Sequence, residues 1–403
     1  MSKLYRTIVL LVLVALVAAC GGMPDVKIAR HPEPADYSNL HLYTKLPKYD
    51  PTSTNSFQLD LRSSNLSKFD LSKSKDDLLY STFDSKTQWP TSDKMPTDFN
   101  WQEIMEIGKD PGLGIRALHG QGVTGKGVGI AIIDQALLVD HVEYKDRIRI
   151  YEETEDVAGG WLAVSAYGPA VASIAVGKHI GVAPDADLYF IATGDCGGAT
   201  SMEDFDSSCR ARAIRRIIGI NKSLPADRKI RVLSMSFSWL PQSKGYDEIT
   251  AAVAEAKTAG IFVISVNLFE TDGLFFLGLG REPLLDANKF QSYGPGLEWR
   301  QSYFEQGLTM DALLVPMNSR TTASPTGTED YVFYRQGGLS WTVPYLAGMY
   351  ALAVQVKPDI TPEEFWDTAL KTGKTIKIQH DGKEYEFGVI LDPQAVIAAL
   401  KSE

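Results

Sequence analysis

From residue 96 onward the sequence predicts an α/β domain of three layers, a central parallel sheet with helices packed on both faces. Three observations predict it. The stretch 127–134 is an unbroken apolar run closing on Asp134, the pattern of a strand buried on both faces. Residues 187–192, 231–238 and 260–267 repeat that pattern. Helical stretches at 169–177, 203–221 and 245–259 lie between them, and strands alternating with helices make crossover units.

Composition narrows the function classes. The 403 residues are 44% hydrophobic and 22% charged, which excludes a disordered, collagenous or polytopic membrane chain. The formal net charge of -10 argues against nucleic acid as a partner, because phosphate binding needs a basic face. Three cysteines are too few for a disulfide-built fold or a four-thiolate zinc site. No acidic loop has the ligand spacing of a calcium site, so no metal or cofactor is expected.

Later elements follow from local signals. Thr361-Pro362-Glu363-Glu364 starts a helix, with Thr as N-cap, Pro in the first turn and Glu at the third position. Gly373 suits its stop. His380-Asp381-Gly382 reads as a turn between strands at 375–379 and 383–387.

The amino terminus reads as an address. Lys3 and Arg6 precede the apolar run Ile8 to Ala19. Twelve residues at about 1.5 Å each reach about 18 Å, well short of a hydrocarbon core of about 30 Å. That is the pattern of a secretory signal. Leu16-Val17-Ala18-Ala19-Cys20 resembles a bacterial lipobox. The resemblance implies removal of residues 1–19 and a lipid on Cys20, holding the protein to the extracytoplasmic face of a bacterial cell membrane. The alternative is an ordinary signal peptide with an incidental Cys20. Residues 20–95, rich in Ser, Asp, Lys, Pro and Thr, read as a polar tether. Within them 57–61 and 69–71 look like two short related strands.

Gly125-Lys126-Gly127-Val128-Gly129-Ile130-Ala131-Ile132-Ile133-Asp134 resembles the strand that delivers the catalytic aspartate in subtilisin-like serine proteases. Gly338-Leu339-Ser340-Trp341-Thr342-Val343-Pro344-Tyr345-Leu346-Ala347-Gly348 resembles the segment of that family which places the nucleophilic serine at a helix start. Tyr167-Gly168-Pro169 and the residues after it resemble the family's histidine segment, with Tyr167 where the catalytic histidine belongs. Asn267 stands where the family commonly has its oxyanion-hole asparagine; the bland reading is a turn residue at a strand end. Gly388 to Pro393 resembles the closing segment, so the likeness spans about 110–400, weakest over 268–337, which reads as an insertion. Its Phe275, Phe276 and Trp299 are either a private core or a binding surface. Cys196 and Cys209 are a disulfide or two free thiols.

By this resemblance the chain is a lipid-anchored serine endopeptidase relative whose partners are peptides or proteins in the groove. Tyr167 decides the rest. A serine hydroxyl needs a neighbouring base, imidazole titrates near neutrality, and a phenol with a pKa of about 10 does not. Loss of the histidine from such a triad lowers kcat by about a millionfold, roughly 8 kcal/mol. Three readings follow: a family member with impaired proteolysis, a working protease with a base from elsewhere (Tyr167 as phenolate, or His179), and a non-catalytic interaction protein.

Overall fold

The computed structural model describes residues 26–51, 53, 57–155, 165–194, 196, 205–306 and 312–402. The signal at 1–19 and Cys20 lie outside the described residues. Strands β1 (Lys27–Ile28), β4 (Ile148–Glu153), β5 (Asp187–Ala192), β3 (Gly129–Asp134), β6 (Ile230–Met235) and β7 (Phe262–Ser265) form one sheet in that spatial order. Every pairing in it is parallel.

Period-two alternation explains why β3 is apolar throughout. Ile130 and Ile132 face one core with the helices Tyr167–Val176 and Thr342–Val356. Ala131 and Ile133 face a second core with the helices Ser208–Ser223 and Tyr246–Thr258. This is the three-layer arrangement expected from the strand and helix pattern.

A second sheet takes the order β13 (Lys374–His380), β14 (Lys383–Ile390), β10 (Leu313–Pro316), β8 (Phe276–Arg281) and β9 (Tyr293–Pro295). The β13–β14 hairpin turns at Asp381 and Gly382, whose φ values are 47° and 73°. Two consecutive left-handed residues suit an Asp-Gly pair, since Gly has no Cβ to clash and Asp tolerates that region. The segment 268–337 is not an insertion set apart from the domain. β10 lies between β8 and β14, and Phe276, Leu279 and Val315 belong to the main core. Trp299 stacks on Phe387 at 6.0 Å and Phe275 packs on the same core, so these aromatics are core residues.

The expected tether is the larger correction. Leu61, Leu66 and Leu71 are buried and recur every five residues. Each donates its amide to a second chain segment, at Thr82, Gln88 and Lys94 respectively, over 2.7–2.8 Å. Each accepts from the residue three positions on, closing the same turn three times at 2.9–3.1 Å. Asp60, Asn65 and Asp70 cap these turns by accepting from the backbone two residues later. The expected strands at 57–61 and 69–71 are these turns; among the described residues the stretch makes isolated bridges at Asp60, to Thr82, and at Asn65, to Gln88. The three leucines share a core with Phe83, Ile104 and Phe333. Phe83 lies on β2 (Phe83–Asp84), which adds to the antiparallel pair β11 (Arg320–Ala323) and β12 (Tyr331–Tyr334). Residues 57–99 are therefore folded against the domain. Their period of five matches neither a strand nor a helix, so the stretch reads as polar when scanned for either.

Candidate active site

The carboxyl ends of the parallel strands form one edge of the sheet, where sites of open α/β folds sit. Asp134 ends β3, Thr193 follows β5, Ser236 follows β6 and Val266 follows β7; all four line a cleft of about 570 Å³. Tyr167 and Ser340 line the same cleft. Asp134, Tyr167 and Ser340 are thus brought to one cleft.

Gly168 explains how Tyr167 comes to line the cleft together with Asp134. A Cβ there would meet the carbonyl oxygens of Ala136 at 2.4 Å and Gln135 at 2.5 Å. Only glycine lets the helix Tyr167–Val176 start against the loop leaving β3. The Tyr167 ring then meets Trp341 edge to face at 5.6 Å, which ties it to the serine segment. Burial raises the pKa of the Tyr167 hydroxyl, and the Asp134 charge raises it further. The phenol holds its proton more tightly here than in water, so still less phenolate is present near neutrality to act as a base.

Asp134 is buried and accepts one backbone hydrogen bond, from Gln135 N at 2.8 Å. Desolvation pushes its pKa up to about 6, against opposing contributions from that bond and from the Arg210 charge. Arg210 lies across the cleft with its guanidinium 4.0 Å from the Phe205 ring and 3.8 Å from the Phe237 ring.

Ser340 lies in the short turn Leu339–Trp341 that leads into the buried helix Thr342–Val356. Its hydroxyl donates to the Ser236 carbonyl at 3.2 Å, and the Ser236 hydroxyl donates to the Ser340 carbonyl at 2.9 Å. A carbonyl accepts a hydrogen bond but does not remove the proton. Gly338, just before the turn, has φ 67° and faces Glu298, whose Oε1 would lie 3.1 Å from an added Cβ. Surrounding protein raises the pKa of Glu298, while a hydrogen bond with Gln336 lowers it.

Two expected roles do not fit. Asn267 accepts from Trp239 N at 2.9 Å and donates to Trp239 O at 3.2 Å. Both ends of its amide clamp the loop after β6, and it lines a different hollow beside Trp239. The turn-residue reading applies, not the oxyanion donor. His179 is not a spare base either. Its Nδ1 lies 3.1 Å from Glu143 Oε1, in a pair completed by the Tyr331 hydroxyl at 2.7 Å. Among the described residues lining the cleft there is no histidine. Cys196 and Cys209 are joined as a disulfide, with Cα atoms 5.6 Å apart.

Sequence reading missed Ser236, Arg210 and Glu298. Ser236 was within reach, since it directly follows a parallel strand at the same sheet edge as Asp134. Glu298 was not, because its placement depends on strand pairing far along the chain.

Residues 125–266 match the model of the Subtilase family, a span that holds Asp134 and Tyr167 and stops before Ser340. The chain is 24% identical over 302 residues to "Serine protease AprX" of Bacillus subtilis (strain 168), covering 68% of this chain and 66% of that relative. The chain therefore matches just under two thirds of that relative's length. The structure of the "Prenylagaramide maturation protease PagA" aligns with a TM-score of 0.48 at 16% identity, over 72% of this chain and 99% of that one. The family match and the AprX relative support placing this domain with the subtilisin-like serine proteases.

Proposed function

We propose that this chain is a lipid-anchored, extracytoplasmic member of the subtilisin-like serine endopeptidase family whose cleft binds peptides and whose proteolysis is impaired. The observation that carries the reading is Tyr167, lining the cleft with Asp134 and Ser340 and holding its proton more tightly than an ordinary phenol. In a working triad the serine hydroxyl attacks the scissile carbonyl, the base takes its proton and returns it to the leaving amine, and the carboxylate orients the base. Here the nucleophile and the carboxylate remain, but the group that moves the proton is absent. Binding needs only the cleft, and peptide binding therefore survives the change. The Cys196–Cys209 bridge supports an oxidising compartment, and the lipobox resemblance at Cys20 supports the anchor.

Restoring the base tests the reading. Tyr167→His should raise kcat/KM on peptide substrates at least about a hundredfold, part of the millionfold attributable to a triad histidine. It should also raise labelling of Ser340 by a fluorophosphonate probe, and Ser340→Ala should abolish both signals. A wild type that already turns over at protease-like rates, with Tyr167→His no faster, would refute impairment. The anchor is tested separately by metabolic labelling with a palmitate analogue. Label should enter the wild type and not Cys20→Ala, and equal labelling sinks that part.

A further inference from the structure

Away from the cleft, a second pocket of about 180 Å³ opens beside the five-stranded sheet, several times the roughly 30 Å³ share of one water. Its wall carries three arginines, Arg281, Arg300 and Arg335, and one acid, Glu282. On a chain of net charge -10 that is a local reversal of sign. Arg281 is 3% exposed and Arg335 2%, so two of these charges are withdrawn from water.

The charge is under-neutralised. The terminal nitrogens of Arg281 donate to the carbonyls of Glu282, Pro283, Leu285 and Ser319, which hold the guanidinium in place without cancelling it. Arg335 donates to the Arg281 carbonyl at 2.8 Å and lies 4.7 Å from the Tyr80 ring centroid. It pairs with Glu282 through two contacts of 2.9 Å, while its Nε has no hydrogen-bond partner among the described residues. Arg300 is exposed at the mouth, with no ion pair among the described residues. A buried cation is costly until an anion meets it, and guanidinium forks suit the oxygens of a tetrahedral anion. Glu282 is the one carboxylate among the described residues lining the pocket, with Asp110 acting on Arg281 from outside it, and Glu282 is exposed, so it can be displaced from Arg335.

We propose that this pocket binds a phosphate group, with Arg335 and Arg300 donating to its oxygens, Arg281 supplying charge from behind, and Glu282 competing for Arg335. The phosphate is either free or the headgroup of a membrane lipid. Competition by Glu282 gives the test two arms of opposite sign on exposed residues. Inorganic phosphate is titrated into the soluble chain with Cys20→Ala, by calorimetry and thermal melting, against chloride at equal ionic strength. Phosphate should raise Tm and give a saturable heat. Arg300→Gln should weaken binding about tenfold and Glu282→Gln should tighten it by a similar factor, each about 1.4 kcal/mol. Circular dichroism checks that both variants fold.

Vesicles of phosphatidic acid in phosphatidylcholine distinguish the sources. Binding competed by inorganic phosphate assigns the headgroup. Phosphate binding in solution without vesicle binding assigns the free anion. A wild type that gives no heat or Tm shift in about 10 mM phosphate beyond the chloride control overturns the proposal, since millimolar affinity is only about 4 kcal/mol. Variants that shift affinity in the same direction overturn it as well.

Discussion

Asp134 is buried at the carboxyl edge of the sheet, under segments distant in sequence, and accepts a backbone hydrogen bond from Gln135 N. The folded pKa of about 6 lies above the ordinary carboxyl value of 3.8. The folded state therefore binds more protons than the unfolded state between those values, and stability falls as pH rises through that window. The difference of roughly two units corresponds to about 3 kcal/mol at most, reached above pH 6. Asp134→Asn keeps an oxygen for Gln135 N and removes the charge. It should stabilise the protein by about 1–3 kcal/mol at pH 8 and by almost nothing at pH 3.5. Urea unfolding at the two pH values checks this, and an equal gain at both would show that the carboxylate is not desolvated in solution.

At the scale of elements, strands and helices with ordinary periods were read well, and units with other periods were not. The buried strand 187–192 is β5 to the residue. The N-cap at Thr361 accepts from Glu364 N at 3.1 Å as its sequence signature requires. The five-residue turns escaped, because leucines at that spacing share no face of a strand or helix. Leu66 is fully buried in their core, and Leu66→Ala should cost about 2–5 kcal/mol in urea unfolding. A cost under about 0.5 kcal/mol is what an exposed tether would show. The start of the helix Tyr167–Val176 makes a second element-level prediction. Gly168→Ala drives a Cβ into two backbone carbonyls, which cannot rotate away as a side chain can. It should destabilise by about 1–3 kcal/mol. In the Tyr167→His background it should also reduce the recovered kcat/KM, by displacing the new imidazole from Asp134. An unchanged rate would mean that the helix start does not set the site geometry.

For the whole molecule, what the sequence hid is contact between distant segments. The parallel sheet was legible because each of its strands announces itself locally. The second sheet was not, since β10 lies between β8 and β14, and β14 begins well after the helix Thr342–Val356 that carries the serine segment's chain onward. The association of residues 57–99 with the domain is of the same kind. β2 hydrogen-bonds to β12 with Phe83 opposite Phe333, and the two rings lie 5.1 Å apart. Arg62 pairs with Asp60 at 2.6 Å and reaches the buried Tyr334 hydroxyl at 3.3 Å. Phe57 lines the cleft itself. Removing this region would open the edge of β12 and strip cover from Phe333, leaving an unpaired apolar strand prone to association. A chain of residues 100–403 should therefore be insoluble, or melt at least about 5 °C below a chain of residues 26–403, since 1 kcal/mol is worth roughly 1–2 °C at this size and each buried leucine of the turns about 2–5 kcal/mol. A tether would predict the opposite, because a segment that buries nothing adds nothing to the melt. Scanning calorimetry of the two chains decides between them. Equal Tm values would show that the five-residue turns do not support the domain in solution, whereas a second, lower-temperature transition in the longer chain would show a unit that folds beside the domain without stabilising it.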